Sequence, residues 1–449
     1  MDNQIKKVSL PEDVKNIIKF LYENNYEAFA VGGCVRDSLI GKVPMDWDIT
    51  TSATPEATKQ LFLSKGYKVV ETGIKHGTIT LIINRNSYEV TTYRVEEDYL
   101  DNRRPSRVWF TTSLEQDLSR RDFTINGLAY NDMIGLVDYY NGIKDLKKGI
   151  IRTIGYAHDR FNEDGLRILR AVRFSTVLNF TIEKETYSSI KNNYSLLNNI
   201  SMERIRDEFI KIILSEKPSK GIKSLCELML MNYIIPELNY LGSTDIIGEW
   251  KPDDFFYNKM RILDEVDNSL SVRLAALLYD VQSNSKIQMR DDITQHVLVN
   301  KFIIENILRK MKFENSIIKK TCILAKYCIK DINYDSKENM KRLIIEIGED
   351  NLEDVFNLSY VILKNLHKDI NKAQQIILLK KQCNDIIKNG EPLYIKDLKI
   401  NGDDLKKLGF QNGKLIGYTL KYLLDEVLKD PKANKRENLV LLAKKYCKY

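Results

Sequence analysis

Two aspartates lie two residues apart near the start of the chain, Asp46 and Asp48. Residues i and i+2 of a strand point to the same side, so on a strand both carboxylates would face one space. Carboxylates held together repel unless a cation lies between them, and Mg²⁺ prefers one or two carboxylates together with substrate phosphates. The pair therefore predicts the protein part of a two-metal site for phosphoryl or nucleotidyl transfer. Glu89, on a neighbouring predicted strand, is the third candidate catalytic carboxylate.

A glycine pair precedes the two aspartates, at Gly32 and Gly33, directly before a predicted helix. Glycines at this place let backbone N–H groups approach a phosphate at the positive end of a helix. Arg36, one turn into the helix, would add a charge-assisted contact. A glycine pair alone, or a bare Asp-x-Asp, is common and usually idle, but their combination at this spacing predicts a nucleotide phosphate site.

A second polar segment runs from Arg120 to Asn126, as Arg120-Arg121-Asp122-Phe-Thr-Ile-Asn126. Adjacent guanidinium groups offer several N–H donors to phosphate oxygens, and a carboxylate accepts from a ribose hydroxyl. We assign Arg120, Arg121, Asp122 and Asn126 to nucleotide binding. A salt-bridged helix start is the alternative for any single member of the set.

The third segment is Glu163-Asp164-Gly-Leu-Arg167-Ile-Leu-Arg170-Ala-Val-Arg173. On one helix, Asp164, Arg167, Arg170 and Arg173 would be successive i, i+3 neighbours. A carboxylate beside a guanidinium matches the amine donor and ring acceptor of cytosine and adenine, whereas guanine and uracil present the reverse order. A wrong base would leave buried polar groups unpaired, at ~1–3 kcal/mol each. The segment predicts a selector for C or A, and a surface ion pair is the alternative.

Taken in order, these segments resemble the polymerase-β-like nucleotidyltransferases, and more narrowly the bacterial-type class II tRNA nucleotidyltransferases (CCA-adding enzymes) and the related bacterial poly(A) polymerases. The resemblance implies template-independent addition of C, C and A to the tRNA 3′ end from CTP and ATP, with release of pyrophosphate and with Mg²⁺ as cofactor. It also implies that Asp122 favours ribonucleotides and that Arg170 and Arg173 help to hold base and triphosphate.

Three other functions stay open at this point: addition of the terminal A alone, poly(A) synthesis, and RNA binding by an inactive scaffold. His76-Gly77 lies in a segment that resembles the CCA-adding pattern, whereas poly(A) polymerases tend to carry a Gly-Arg-Arg-Phe-like sequence there. Asp101 and Arg103 lie in a segment that resembles the flexible loop of A-incorporating members. The intact candidate carboxylates and template residues argue against an inactive scaffold.

Short β-branched runs and helical periodicity indicate the elements that must position these residues. Strands are predicted at 67–71, 78–83 and 87–93, the last two as a hairpin, and helices at 11–26 and from about Phe161 onward. We predict an α+β class with a polymerase-β-like head containing a small mixed sheet at 1–155. An all-α neck with the base template at 156–220, a body at 221–330 and a tail at 331–449 would follow.

The neck and body contain two further segments that resemble family features. The segment from Ser201 to Glu208 predicts a helix with internal ion pairs that stabilises the neck. Tyr279-Asp280 lies where relatives with a phosphohydrolase domain carry His-Asp, so this position is degenerate and we expect no metal site there.

Composition and charge narrow the class of partner. With 43% hydrophobic residues and a net charge of +7, the chain is neither disordered nor histone-like. Residues 381–449 contain 15 Lys and Arg against 9 Asp and Glu, which predicts a polyanionic partner, here the tRNA elbow, or a solvated lysine-rich surface. The first residues lack a signal peptide, no membrane-length apolar stretch occurs, and the six cysteines are scattered. These features predict a cytoplasmic monomer or homodimer without a membrane partner.

Overall fold

The structure is a computed structural model that describes residues 7–99, 105–239, 241–244, 250–281, 293–328, 336–367, 370–411 and 413–446. The chain divides into two compact units, Met1–Asn239 with Thr244–Lys251, and Tyr240–Ser243 with Pro252–Tyr449. Asp101 and Arg103, the predicted flexible-loop residues, lie outside the described residues.

The strands are concentrated in the first unit. They are β1 (Ala28–Val31), β2 (Asp48–Thr51), β3 (Lys68–Gly73), β4 (Thr78–Ile83), β5 (Asn86–Thr92), β6 (Arg94–Tyr99), β7 (Pro105–Phe110), β8 (Leu128–Asn131), β9 (Gly135–Asp138), β10 (Ile150–Ile151), β11 (Thr181–Ile182), β12 (Ser243–Thr244) and β13 (Trp250–Lys251). Seven form one mixed sheet in the order β3-β4-β5-β2-β1-β8-β9, and β2 with β5 is its parallel pair. β6 and β7 form a separate antiparallel ribbon.

The predicted hairpin is confirmed as β4 and β5, which pair antiparallel. Asn84 and Arg85 at its turn have φ of 51° and 68°, the left-handed conformation that a tight hairpin requires. Along β5 the side chains alternate, with Tyr88 and Val90 buried and Glu89 exposed between them. This period of two places Glu89 on the face of the sheet opposite to the core.

The first unit also contains α-helices. They are α1 (Glu12–Glu23), α2 (Gly33–Leu39), α3 (Pro55–Ser64), α4 (Leu114–Ser119), α5 (Gly142–Lys148), α6 (Ala157–Glu163), α7 (Leu166–Leu178), α8 (Lys184–Asn193), α9 (Met202–Ile213), α10 (Pro218–Glu227) and α11 (Met231–Ile234). Of these, α1, α2 and α3 contact strands of the sheet. One part of the core joins strand residues Phe29 and Val31 to Leu114 and Leu118 of α4. This packing fixes α4, and hence the Arg120 segment after it, against the centre of the sheet.

The second unit is helical. Its helices are α12 (Asp254–Glu265), α13 (Leu270–Leu278), α14 (Ile293–Lys310), α15 (Asn315–Tyr327), α16 (Lys337–Ile347), α17 (Glu349–Ile362), α18 (Ile370–Lys388), α19 (Gly402–Lys407), α20 (Gly413–Lys429) and α21 (Arg436–Tyr446). Buried Leu405, Leu423 and Leu439 join the last three helices into one apolar cluster. The predicted α+β class is thus confirmed.

None of the helices within the described ranges is long and apolar enough to cross a membrane. Five cysteines lie in those ranges as buried free thiols, at positions 34, 226, 322, 328 and 383.

Candidate active site

The carboxylates predicted to act together are brought together by the parallel pair of strands. Asp48, the first residue of β2, is aligned with Glu89 of β5, and Asp46 lies two residues before β2. Burial raises the pKa of Asp48. The positive charge of Arg121 opposes this shift, and the negative charge of Asp46 adds to it. Partial desolvation by the neighbouring protein also raises the pKa of Glu89, although its side chain is exposed, and the charges of Asp48 and Asp46 add to that shift. The three carboxylates therefore share one electrostatic environment.

This carboxylate site is an incomplete set of metal ligands. Across the described ranges, no group of three or more His, Cys, Asp and Glu side chains is arranged to hold a metal ion. Mg²⁺ typically keeps ligand positions for water and substrate phosphates, so a pair of carboxylates is compatible with it.

Arg121 lies beside the glycine turn that precedes α2. Gly32 has a φ of +76°, and a Cβ added there would lie 2.7 Å from Nη1 of Arg121. Nε of Arg121 is buried and has no hydrogen-bond partner among the described residues, while Nη2 lies 4.0 Å from Asp117. Burial lowers the pKa of Arg121, and the nearby carboxylates of Asp117 and Asp48 oppose that shift. Arg121 thus places an incompletely paired guanidinium next to the carboxylate site.

Gly33 has more space for a side chain than Gly32. A Cβ at Gly33 would lie 3.7 Å from Nη2 of Arg36, an ordinary van der Waals distance. The fold therefore requires glycine at Gly32 but leaves space for a side chain at Gly33.

Four predicted nucleotide-binding residues form a chain of hydrogen bonds. Nη1 of Arg36 donates to Oδ1 of Asn126 at 2.6 Å, and Nδ2 of Asn126 donates to Oδ1 of Asp122 at 2.9 Å. Nε of Arg170 then donates to Oδ2 of Asp122 at 2.7 Å. The chain connects α2, the 3-10 helix Thr124–Asn126 and α7. It holds the elements of the site together, and it occupies both oxygens of Asp122.

Arg120, predicted to bind phosphate, instead forms ion pairs with Asp117 and with Glu96 of β6. Its Nε and Nη2 donate to Oδ1 of the fully buried Asp117 at 3.0 and 2.8 Å, and its Nη1 donates to Glu96 at 3.2 Å. Glu96 also pairs with Arg94, the first residue of the ribbon. Arg120 therefore connects the ribbon to the Arg120–Asn126 segment.

The prediction that Asp164 and Arg167 share one helix is wrong. α6 ends at Glu163, Asp164 has extended backbone with φ −143° and ψ 104°, and α7 begins at Leu166. The Asp164 side chain accepts from the backbone N–H of Leu166 at 3.1 Å, which favours this break because a capping carboxylate competes with helix continuation. Asp164 and Arg167 remain neighbours through the N–H of Arg167, which donates to the Asp164 carbonyl at 3.0 Å.

The side chains of Asp164 and Arg167, the proposed base-selecting pair, form hydrogen bonds with other residues rather than with one another. Both carboxylate oxygens of Asp164 accept from Arg204 of α9, at 2.8 and 3.2 Å. Arg167 is buried, and its guanidinium donates to Glu163 and to the carbonyls of Arg160 and Arg120. These contacts use three of its five N–H groups, so donors remain for a ligand.

Arg170 and Arg173 lie on α7 as predicted, around the ring of Phe174. The Arg173 guanidinium carbon is 3.7 Å from the ring centroid, and those of Arg170 and Arg36 are 5.4 and 5.0 Å from it. Buried Glu208 of α9 pairs with Arg173. Arg204 and Glu208 of the Ser201–Glu208 segment pair with Asp164 and with Arg173 of α7, so the ion pairs of this segment are not only internal to α9 as predicted. They connect α9 to the residues proposed to select the base.

Two positioning residues were missing from the sequence prediction, Asp117 and Phe174. Asp117 lies within a six-residue helix that carries four acidic or polar residues, and Phe174 follows three arginines spaced three residues apart. Each has ordinary local spacing, so no local signal distinguished them.

In the second unit, a lysine side chain lies beside Tyr279 and Asp280, the residues at the degenerate His-Asp position. Lys259 is fully buried, pairs with Asp280 and lies 4.4 Å from the centroid of the Tyr279 ring. A cation thus lies beside the aspartate in this position.

Three segments of the chain match known families. Residues 28–152 match the poly A polymerase head domain, residues 179–241 match the RNA and SrmB-binding site of polymerase A, and residues 285–443 match tRNA nucleotidyltransferase domain 2. With the carboxylate pair and the mixed sheet, these matches define an enzyme of the nucleotidyltransferase class.

Relatives that match nearly the whole chain identify the family within the nucleotidyltransferase class. The chain is 36% identical to the CCA-adding enzyme of Ligilactobacillus salivarius, over 97% of this chain and 98% of the relative. It is 32% identical to that of Staphylococcus haemolyticus, over 95% and 94%. The chain belongs to the family of CCA-adding enzymes, as its motifs predicted.

Solved structures show the same fold. The Bacillus stearothermophilus CCA-adding enzyme in complex with CTP matches with a TM-score of 0.72 at 24% identity, over 96% of each chain. The Thermotoga maritima CCA-adding enzyme complexed with tRNA matches with a TM-score of 0.63 at 21% identity, over 99% of this chain and 100% of the other.

Proposed function

We propose that this enzyme adds C, C and A in turn to the 3′ end of tRNA, using CTP and ATP and releasing pyrophosphate. The observation that carries the proposal is the alignment of Asp48 with Glu89, next to Asp46 and the incompletely paired Arg121. A site with clustered carboxylates beside an incompletely paired guanidinium fits a triphosphate and a metal, and full-length relatives are CCA-adding enzymes.

Mg²⁺ fits the donor set at this site. Desolvation and mutual repulsion raise the pKa of Asp48 and Glu89, and a divalent cation would offset that repulsion. Asp46 and Asp48 would hold the metal, and Glu89 is placed to serve as a further ligand or to orient the other two. When bound, Mg²⁺ supplies charge neutralisation for the triphosphate and favours deprotonation of the attacking hydroxyl.

The residues of the chain position the reacting groups. Arg121, beside Gly32 and Gly33, would orient the triphosphate so that the tRNA 3′-hydroxyl attacks the α-phosphate and pyrophosphate leaves. Formation of the new phosphodiester bond is matched by cleavage of the α–β phosphoanhydride bond. Arg120 would act through the ribbon, as a positioning residue rather than a direct phosphate contact.

Base selection would use Asp164 and Arg167 in their observed positions. Arg204 holds the Asp164 carboxylate in one orientation. Oδ1 accepts from both Arg204 and the N–H of Leu166, so Oδ2, which accepts from Arg204 alone, is the oxygen with a lone pair left for an amine of C or A. The unused N–H groups of Arg167 would donate to the ring nitrogen of that base. Asp122 would orient Arg170 and Asn126, and its predicted ribose contact requires one of those bonds to rearrange.

The partner is tRNA, and the lysine-rich residues 381–449 would contact its phosphates at the elbow. Addition of the terminal A alone is the second candidate, because the template residues would serve both reactions.

A tRNA transcript without its last three nucleotides tests the proposal. It is incubated with Mg²⁺ and with CTP and ATP singly and together, and products are resolved to one nucleotide. Addition of C, C and A is expected. A single A added only to tRNA ending in CC would establish the A-adding function, and a long A tract would establish poly(A) synthesis.

Changing Asp48→Asn should lower the rate of addition by about 10²–10³-fold while tRNA binding is unchanged, because this carboxylate would hold the metal at the reacting groups and would not contact the tRNA elbow. Asp132→Asn, an exposed aspartate of the same unit, is the matched control. Activity retained in Asp48→Asn would refute the catalytic assignment. Glu89→Gln then distinguishes a ligand, whose loss raises the Mg²⁺ requirement, from an orienting residue, whose loss lowers the rate at saturating Mg²⁺.

A further inference from the structure

Helices α14 and α15 contain a second concentration of positive charge, distinct from residues 381–449. From Asn300 to Cys328 the chain has seven Lys and Arg against two Glu, a net charge of +5. Polyanions are attracted to surfaces of this kind. The segment lies within the part that matches tRNA nucleotidyltransferase domain 2.

The charge borders a cavity between these two helices, which we name the α14–α15 groove. Its volume is about 430 Å³, within the range of sites for small ligands or single nucleotide units. Ile318, Cys322 and Tyr327 are buried and form its apolar side. Lys301 and Lys319 line the same groove and are exposed. The groove thus combines an apolar surface with cationic groups at its rim.

The charged groups within the groove divide into two sets. Arg309 donates to Glu305 at 2.7 and 3.0 Å, and the Tyr327 hydroxyl donates to Glu346 at 2.8 Å, so these groups satisfy one another. Lys301 and Lys319, by contrast, have no carboxylate within ion-pair distance in the described part of the chain. Lys326 also lines the groove and donates to the Tyr327 hydroxyl at 2.7 Å, so Lys301 and Lys319 are the exposed lysines of the groove that can reach a ligand.

We infer that the α14–α15 groove binds the phosphodiester backbone of the RNA substrate, with Lys301 and Lys319 on phosphates and the apolar side against the sugar or base of one nucleotide. The inference rests on the proposed function, since that function supplies RNA as the substrate. Charge complementarity favours RNA over an apolar peptide, and the apolar side distinguishes the groove from a merely solvated lysine surface.

The double variant Lys301→Gln/Lys319→Gln tests the inference without disturbing the core, because both side chains are exposed. The Kd for a tRNA transcript lacking its last three nucleotides is measured by fluorescence anisotropy over a series of KCl concentrations. We expect weaker binding, on the order of tenfold at 0.1 M salt, and a decrease of about 1.4–1.8 in the slope of log K against log salt. The KM for tRNA should rise while kcat and the KM for CTP stay unchanged.

Lys144→Gln/Lys148→Gln is the matched control, since it removes two exposed lysines from α5 in the first unit. An unchanged Kd and salt slope in the groove variant, or an equal change in the control, would overturn the inference. A raised KM for CTP with unchanged tRNA binding would also overturn it and identify a free-nucleotide site.

The Kd for tRNA is measured without nucleotide addition. A failure of the proposed groove can therefore be distinguished from a failure of the proposed function. An enzyme whose groove variant loses tRNA affinity, yet which produces an A tract, would refute the proposed function alone. An enzyme that adds C, C and A, with tRNA binding indifferent to both lysines, would refute the groove alone.

Discussion

Arg204 donates to both carboxylate oxygens of Asp164, across 40 residues of chain, at distances of 2.8 and 3.2 Å. This two-point contact fixes the plane of the carboxylate, which a single contact from a lysine would not do. The orientation of the proposed base selector therefore depends on a residue of α9 that lies outside the template segment.

Arg204→Lys should keep the charge but lose the fixed plane of Asp164. We expect kcat/KM for CTP to fall by roughly 10- to 100-fold, the range for loss of a charged hydrogen bond, and discrimination against UTP to fall with it. Single-turnover addition with each NTP measures both quantities. Arg206→Lys, on the same helix and paired with Asp207, is the control and should leave selectivity unchanged. Unaltered discrimination in Arg204→Lys would contradict the positioning role.

The two glycines before α2 should respond differently to alanine. In Gly32→Ala the added Cβ would lie 2.7 Å from Arg121 at a φ of +76°, which costs roughly 1–2 kcal/mol in backbone conformation and displaces the guanidinium. We expect lower thermal stability and a higher KM for CTP.

In Gly33→Ala the added methyl group has space, so the thermal stability of this variant should equal that of the unaltered enzyme. Its KM for CTP should nonetheless rise if the backbone there approaches phosphate, as the sequence predicts. Thermal melts and NTP titrations of both variants provide the comparison. A normal KM in Gly33→Ala would show that only Gly32 is required, and for packing.

The local sequence identified the carboxylate site because its geometry depends on short-range features. The alternation of buried and exposed residues in β5 places Glu89 on the correct face, and Asp46 and Asp48 are close in sequence. The alignment of Asp48 with Glu89 in a parallel pair depends on chain topology, which the strand pattern alone does not specify.

The template illustrates what local spacing could not show. Asp164-Gly165 is a turn signal, yet the i, i+3 spacing with Arg167 favoured a continuous helix. The partners that determine the outcome, Arg204 for Asp164 and the Arg120 carbonyl for Arg167, lie 40 and 47 residues away. Long-range ion pairs and hydrogen bonds of this kind have no periodic signature in a single sequence.

Asp122 should make stability depend on acid pH. Burial alone would raise its pKa, but the charge of Arg170 and the hydrogen bond from Asn126 outweigh burial, and the pKa lies below its ordinary value. As pH falls, the unfolded chain therefore takes up this proton first. The carboxylate stabilises the fold fully above its ordinary pKa of about 3.9, and that contribution is lost as pH falls through the lower folded value.

Asp122→Asn should accordingly lower the free energy of unfolding at pH 7 and at pH 5 by the same amount, and the difference from the unaltered enzyme should shrink below about pH 4. Urea unfolding at each pH measures this difference. Asp132→Asn, on the surface, is the control for the loss of an aspartate charge. A constant difference at every pH would show that the Asp122 charge does not stabilise the fold.

Asp117 should matter for both stability and substrate affinity, because it joins three segments from a position without solvent exposure. It accepts from Arg120 of the nucleotide segment, from the backbone N–H of Arg94 at 3.2 Å and from the hydroxyl of Thr50, two residues after Asp48, at 3.1 Å. Asp117→Asn keeps the size but removes the charge. Breaking a buried ion pair costs about 3–5 kcal/mol, and the lower end is expected because Arg120 retains Glu96.

The matched variant Thr50→Val removes the hydroxyl that lies within donating distance of both this carboxylate and the Thr91 carbonyl. It should cost about 1.5 kcal/mol, the lower end for a hydrogen bond to a charged group. If Asp117 orients the Arg120 and Arg121 guanidinium groups, the KM for CTP should rise in Asp117→Asn and stay constant in Thr50→Val. Urea unfolding and CTP titration of both variants separate the two effects. An equal KM in both variants, alongside the larger loss of stability in Asp117→Asn, would restrict Asp117 to a role in folding. A raised KM in Asp117→Asn alone would establish that this buried carboxylate acts on the nucleotide site through the arginine pair.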